Sequence, residues 1–110
     1  MLYHATFVAY LPSIMQLGLG AVQKKNWYDS KQGTVYLCTD PFMAISFCEA
    51  AEEVEDKIYD SGIVLLSIDE SQLTLPLKSD GNIKDGSYSC FEYHGVIHAE
   101  FLKIAPEPSF

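Results

Sequence analysis

The strongest constraint on the fold is a short apolar run, Ile63–Ile68, which is bounded by Gly62 and Asp69. Its sequence, Ile-Val-Leu-Leu-Ser-Ile, is rich in β-branched residues and is shorter than an ordinary helix. A strand without polar alternation has to be covered on both faces, because either face would otherwise expose apolar side chains to water. The run therefore predicts a central strand with a packed layer on each side.

An opening strand and a short helix are predicted near the N-terminus. Residues 2–6 have the pattern of a strand, and apolar side chains at near-helical spacing follow them. Pro12 is tolerated in the first turn of a helix, so the helix should begin near Tyr10 or Leu11. Gly18 is placed to cap its C-terminus.

Strand and helix patterns continue to alternate along the chain. Residues 35–39 form a second predicted strand, and a second helix is predicted from residue 41, a proline, to residue 55. Further strands are predicted at residues 73–77, where a proline favours an edge position, at residues 88–94, and at residues 101–104. This order of elements predicts an α+β domain.

Length and composition indicate a single domain spanning residues 1–105, followed by a proline-containing tail at residues 106–110. Apolar residues make up 48% of the chain, which is enough to form a core. No apolar run approaches the roughly 18 to 20 residues that a membrane span needs, and no secretion-signal pattern is seen. We therefore expect a cytoplasmic protein without a membrane partner, in which the three cysteines are reduced.

The charge distribution narrows the choice of partners. The formal net charge is −8, and all seven basic residues are lysines, so the chain contains no arginine. General binding to DNA or RNA through a basic face is not expected, since phosphate contacts dominate that affinity. The acidic balance favours a protein over bare nucleic acid as a macromolecular partner.

Two predicted strands carry polar side chains in a pattern with few purely structural explanations. The opening strand holds His4 and Thr6, and the second strand holds Tyr36 and Thr39. Together they are typical of the floor of a nucleotide pocket. Trp27 lies in the long connection between the two strands, where it can form a lid over a ligand or fold back onto the core.

Several segments match known motifs in order and in approximate spacing. They are Tyr-His-Ala-Thr at residues 3–6, Leu-Pro-Ser-Ile at 11–14, Gly-Leu at 18–19, Val-Tyr-Leu-Cys-Thr at 35–39, and Gly-Val-Ile-His-Ala-Glu-Phe-Leu at 95–102. This set resembles the ADP-ribosyltransferase-like superfamily. It is most similar to the small DNA ADP-ribosyltransferase toxins and more distantly to the tRNA 2′-phosphotransferases. The last segment has His and Ala where the family often has two prolines.

The resemblance implies a fold and a reaction. The fold would be a split β-sheet with two main helices, in which His4 and Tyr36 face one cleft. The protein would be an NAD-dependent ADP-ribosyltransferase, a toxin-like glycosyltransferase that uses NAD as co-substrate. It would transfer ADP-ribose to a protein or nucleic-acid acceptor, of which a protein is favoured.

The resemblance also implies roles for individual residues. His4 would hydrogen-bond a ribose hydroxyl of NAD, Thr6 would help to place the nicotinamide amide, and Tyr36 would lie against the nicotinamide ring. Glu92 would be the catalytic carboxylate, because a negative charge stabilises the positive charge that develops as nicotinamide leaves. The implied catalytic residues are His4, Tyr36 and Glu92. The implied NAD-binding residues are Tyr3, His4, Thr6, Trp27, Tyr36 and Thr39.

The sequence is also compatible with other roles for these residues and for the chain. His4 can be a buried structural histidine, Tyr36 can pack in the core, and the chain can be a non-catalytic module that binds a nucleotide or a protein. The absence of arginine argues against 2′-phosphotransferase activity, which depends on arginines to hold phosphate. Cys90, His94 and His98 lack zinc-site spacing for a strand and turn, so no metal is expected.

Overall fold

The computed structural model describes residues 1–20, 35–50, 55–79 and 90–106. Within these ranges the chain forms β-strands and α-helices that are joined in places by 3-10 turns. In chain order the elements are β1 (Leu2–Phe7), α1 (Leu11–Leu17), β2 (Val35–Cys38), α2 (Pro41–Glu49), α3 (Asp56–Tyr59), β3 (Ile63–Ile68), β4 (Lys78–Ser79), β5 (Cys90–Tyr93) and β6 (Leu102–Ala105).

The strands form a single sheet in the order β4-β5-β2-β1-β3-β6. Every neighbouring pair is antiparallel. The apolar strand β3 lies between β1 and β6, so it is interior to the sheet, as its sequence predicts. The structure therefore confirms an α+β domain with an antiparallel sheet.

Both faces of the sheet are covered. One face, which we call the α1 face, packs against α1 through a cluster that includes Leu2, Ile14, Leu37, Leu66 and Ile68. The opposite face, which we call the α2 face, packs against α2 through a cluster that includes Ala5, Phe7, Cys38, Ala44, Cys48, Leu65 and Cys90. Successive residues of a strand alternate between these two layers, as the pleat of a β-strand requires.

Hydrogen bonds and backbone angles at the start of α2 and the end of α1 explain where these helices begin and end. The Asp40 carboxylate accepts a hydrogen bond from the Phe42 main-chain N–H at 2.8 Å, and Pro41 occupies the first position of α2. At the end of α1, the Gly18 N–H donates to the Ile14 carbonyl at 2.8 Å, and Gly18 has a φ of 95°. The Gly18 cap and the position of Pro41 agree with the sequence prediction, and the Asp40 cap is an additional finding.

Two element boundaries differ from the sequence prediction. The second helix ends at Glu49 and not at residue 55, and the separate one-turn helix α3 follows. Acidic side chains near a helix C-terminus oppose the helix dipole, which favours an early end. The strand predicted at residues 73–77 is wrong: the edge strand β4 is Lys78–Ser79, after Pro76, whose nitrogen cannot donate to a sheet.

The ends of the last two strands also shift. β5 is Cys90–Tyr93, within the predicted range, and residues 88 and 89 lie outside the described part of the chain. β6 begins at Leu102, because residues Ala99–Phe101 form a 3-10 turn. Among the described residues no helix combines the length and the apolar character that crossing a membrane requires.

Candidate functional site

Strand β1 presents His4 and Thr6 on the α1 face of the sheet. In the antiparallel pairing with β3, His4 lies opposite Leu66 and Thr6 lies opposite Val64. Paired residues in antiparallel strands project from the same face, and residues two apart in one strand do so as well. The two polar side chains are therefore neighbours on the face whose core cluster is built mainly from apolar side chains.

β1 and β2 are paired over a shorter length than β1 and β3. β1 pairs with β3 over all six of its residues, whereas its register with β2 has one paired position, Tyr3 with Cys38. Next to this position the His4 Nδ1 lies 2.9 Å from the Tyr36 carbonyl oxygen. A side chain thus joins the two strands at the point where their main-chain pairing stops.

This contact fixes the proton on the His4 ring. A carbonyl oxygen only accepts hydrogen bonds, so Nδ1 carries the proton and Nε2 of the neutral ring is an acceptor. Burial lowers the pKa of His4 below its ordinary value of 6.5, and the hydrogen bond to Tyr36 opposes part of that change. The side chain is therefore a neutral, oriented acceptor near neutral pH.

Thr6 adds a second polar atom on the same face. The residue is 4% exposed, and its hydroxyl has no hydrogen-bonding partner in the part of the chain that the structure describes. A buried hydroxyl without a partner costs free energy of about 1–3 kcal/mol. Such a group is typical of a position that a bound molecule satisfies.

Tyr36 and Glu92 come together on the opposite side of the sheet. They are a directly paired position of β2 and β5, so their side chains project from one face. The register through Cys38 and Tyr3 places that pair on the α2 face, whereas His4 projects from the α1 face. The expected arrangement, in which His4 and Tyr36 face one cleft, is therefore not observed. It would require the register between β1 and β2 to differ by one residue, since such a difference moves every side chain of a strand to the other face.

The other predicted NAD-binding residues are dispersed. Tyr3 is half-buried on the α2 face, opposite Cys38, and Thr39 is exposed just after β2. Trp27 lies outside the described residues. The described side chains that share a face are therefore His4 with Thr6, and Tyr36 with Glu92 and Tyr3.

Two of the matched sequence segments meet in space. The Leu19 N–H donates to the Ile97 carbonyl at 2.8 Å, and the Ile97 N–H donates to the Leu19 carbonyl at 2.9 Å. This isolated antiparallel bridge ties residues 18–19 to residues 95–102. Leu19 and Ile97 both belong to the core cluster of the α1 face, the face that carries His4.

A cavity of about 410 Å³ lies elsewhere, beside the end of α2 and the start of β3. Its walls include Ile45, Glu49, Tyr59, Ile63 and Ala105, and none of the predicted site residues lines it. In the described portions of the chain, no group of three or more His, Cys, Asp or Glu side chains is arranged to hold a metal ion.

One contact was missed by sequence reasoning. Cys38 and Cys90 occupy a directly paired position of β2 and β5, and their sulfur atoms lie 2.9 Å apart. Each cysteine by itself looks like a small apolar residue. The position of both within predicted strands was the available signal, but the register that joins them is not readable from either strand alone.

Comparison with known proteins gives no assignment: no protein-family model matches the chain, and neither the curated proteins nor the solved structures provide a match.

Proposed function

We propose that this chain is an NAD-dependent ADP-ribosyltransferase-like domain in which the α1 face of β1 binds NAD through His4 and Thr6. The observation that carries the proposal is the His4 ring itself. Its Nδ1–H is held on the Tyr36 carbonyl at 2.9 Å, which leaves Nε2 as an oriented acceptor. A ribose hydroxyl is a donor that suits such an acceptor.

Further support comes from where this histidine lies. The single paired position between β1 and β2 leaves room for strands to diverge beside it, which is what a split sheet requires. The Thr6 hydroxyl on the same face, which has no partner among the described residues, can bond the amide of a nicotinamide group. The acidic net charge of −8 favours a protein as the acceptor of ADP-ribose.

The transfer reaction is proposed to use Tyr36 and Glu92. Their paired position on β2 and β5 brings an aromatic ring and a carboxylate side by side. The role of the carboxylate is to hold a ribose hydroxyl and to stabilise positive charge as nicotinamide departs. The role of the Tyr36 ring is to support the flat nicotinamide group by stacking.

One observation favours a second candidate, a non-catalytic module that binds NAD or another nucleotide. His4 projects from the α1 face, whereas Tyr36 and Glu92 project from the α2 face. A ligand held only by His4 and Thr6 would be bound without contact to the carboxylate. Binding and catalysis therefore need separate experiments.

The binding experiment titrates NAD into the purified protein by calorimetry and compares His4→Ala with His94→Ala, an exposed histidine just after β5. Loss of one hydrogen bond to the ligand should weaken affinity about tenfold in His4→Ala, since about 1.4 kcal/mol corresponds to that factor. His94→Ala should bind as the parent does. Absence of NAD binding by the parent protein refutes the transferase and any module that binds NAD, and leaves only a module for another nucleotide.

The catalytic experiment measures release of nicotinamide from NAD. Glu92→Gln keeps the shape of the side chain and removes its charge, and should lower the rate by a factor of about 10² to 10³ while binding persists. Glu70→Gln, at an exposed position, is the matched control. NAD binding without nicotinamide release supports the non-catalytic module, and release that Glu92→Gln does not change removes Glu92 from the mechanism.

A further inference from the structure

Cys38 and Cys90 form a buried pair that bridges two neighbouring strands. They lie directly opposite one another in the register of β2 with β5, and they are 0% and 5% exposed. The Cys90 Sγ donates to the Cys38 Sγ at 2.9 Å. Both side chains belong to the α2-face cluster, so their approach is held by packing on all sides.

The Cys38 and Cys90 sulfur atoms would have to move only slightly to form a covalent bond. A disulfide has an S–S length of about 2.05 Å and joins residues whose Cα atoms are about 4.4–6.8 Å apart. Directly opposed residues of antiparallel strands have Cα separations of about 4.5–5.5 Å, which is within that range. The two sulfur atoms therefore have to approach by roughly 0.9 Å.

We propose that Cys38 and Cys90 are a redox-sensitive modification site, which hydrogen peroxide converts into a disulfide that links β2 to β5. One cysteine sulfur attacks the peroxide and breaks the O–O bond, giving a sulfenic acid and one water. The second thiol displaces the hydroxyl group as another water and forms the S–S bond. Two electrons pass from sulfur to the peroxide, and the protein loses two hydrogen atoms.

The third cysteine provides an internal comparison. Cys48 lies in the same cluster, but it is on the helix α2 and therefore has no paired position in the sheet. Burial raises the pKa of the Cys48 thiol to about 12. Because Cys38 and Cys90 are at least as buried as Cys48, the three cysteines differ in their pairing and not in their exposure. The pairing therefore selects Cys38 with Cys90 over either combination that includes Cys48.

The disulfide would also act on the candidate catalytic pair. Tyr36 and Glu92 are the adjacent pair on the same two strands and on the same face, two positions away from the cysteines. A covalent link at Cys38–Cys90 fixes the separation of β2 and β5 there. This inference does not depend on NAD binding, since its measurement is the state of the thiols.

The test treats the full chain with hydrogen peroxide and counts thiols after denaturation. The parent protein should fall from three thiols to one, without a change in oligomeric state. Trypsin leaves Cys38 and Cys48 together in residues 32–57 and Cys90 in residues 85–103, so Cys48→Ser is used to make the linked peptide unambiguous. A linked peptide in Cys48→Ser, reversed by a thiol reductant and accompanied by a higher melting temperature, supports the site.

Other results overturn the proposal. Cys38→Ser should form no intramolecular disulfide, so a Cys48–Cys90 link at the parent's rate contradicts the selectivity. Retention of all thiols by the folded parent, under conditions that oxidise the denatured chain, also contradicts it. If Cys48→Ser does not fold, digestion of the oxidised parent after aromatic residues separates Cys38 from Cys48 at Phe42 and Phe47 and identifies the linked sulfur directly.

Discussion

Replacement of Gly18 by alanine should destabilise the protein more than the same change at Gly62, although both glycines have nearly the same φ. The φ of Gly18 is 95° and that of Gly62 is 96°, so each substitution forces a side chain into backbone space that favours glycine. Such strain costs about 1–3 kcal/mol. The two positions differ in what an added Cβ would touch.

At Gly18 the added carbon would lie 2.7 Å from Val96 Cγ1 and 3.0 Å from the Ile97 carbonyl oxygen. That carbonyl is held in place by the Leu19 N–H at 2.8 Å, so it cannot withdraw without breaking the bridge. At Gly62 the nearest atom is Val8 Cγ2 at 3.9 Å, an ordinary contact. Overpacking adds about 1–3 kcal/mol to the cost at Gly18 alone.

The magnitudes convert into melting temperatures. Unfolding entropy is about 2.1 cal/mol/K per residue, so 1 kcal/mol shifts the melting temperature of a chain of this size by about 4 °C. Gly62→Ala should lower it by about 4–13 °C through strain, and Gly18→Ala should lower it by about 4–13 °C more than Gly62→Ala because of the added overlap. Thermal unfolding followed by circular dichroism, with urea unfolding as a check, measures both variants.

A third variant separates the two contacts at Gly18. Val96→Ala in the Gly18→Ala background removes the overlap at 2.7 Å and leaves the Ile97 carbonyl, so it should restore part of the loss but not all of it. Equal destabilisation by Gly18→Ala and Gly62→Ala would refute the argument. It would mean that residues 18–19 do not approach residues 95–97 as closely as the bridge requires.

Three further predictions follow from single groups. Burial lowers the pKa of His4 in the folded chain, so as the pH drops below 6.5 the imidazole binds a proton in the unfolded chain before it does so in the folded chain, and the free energy of unfolding should fall. His4→Gln should reduce this dependence of the unfolding free energy on pH, as measured by urea unfolding at several pH values, and His94→Gln is the control. Asp40→Ala should cost about 1 kcal/mol of unfolding free energy because the Phe42 N–H loses its cap, and Asp40→Asn should retain most of it. With its pKa raised to about 12, Cys48 should resist alkylation by iodoacetamide at neutral pH until the protein unfolds, which mass spectrometry of the labelled peptides measures.

The parts of the fold that the sequence predicts well are those set by short-range chemistry. Asp40 followed by a proline starts α2, and Gly18 ends α1, because caps and fixed backbone angles act within one turn. The run Ile63–Ile68 identifies an interior strand, since only a two-sided environment accepts its composition. The boundaries at residues 55 and 73–77 fail, because helix ends and edge pairing depend on neighbours that the local pattern does not contain.

In the candidate site, too, the local sequence predicts some features, whereas others depend on how the strands pair. Alternation within one strand is enough to place His4 and Thr6 on one face of β1. Whether His4 shares a face with Tyr36 depends on the register between β1 and β2, which a single pair, Tyr3 with Cys38, determines. No sequence pattern specifies that pair, and a shift by one residue would bring the two side chains to the same face.

The register also defines how NAD could engage both sets of residues. The sheet separates His4 and Thr6 from Tyr36 and Glu92, and β1 and β2 are joined at one paired position and through the His4 ring. A dinucleotide that touches both His4 and Glu92 therefore requires β1 and β2 to separate beyond that paired position, because hydrogen-bonded neighbouring strands leave no gap between them. A ligand that remains on the α1 face would contact His4 and Thr6 but neither Tyr36 nor Glu92.

A double-mutant cycle on NAD affinity distinguishes these two arrangements. Affinities are measured for the parent, His4→Ala, Glu92→Gln and the double variant. If one NAD molecule contacts both side chains across the strand junction, Glu92→Gln should also weaken NAD affinity, and coupling of about 0.5–3 kcal/mol should appear where the loss of one contact moves the ligand away from the other. If NAD remains on the α1 face, Glu92→Gln should leave its affinity unchanged and the coupling should vanish. Unchanged NAD affinity of Glu92→Gln together with nicotinamide release that depends on Glu92 would contradict both arrangements, because the carboxylate would then act without touching the NAD that His4 holds.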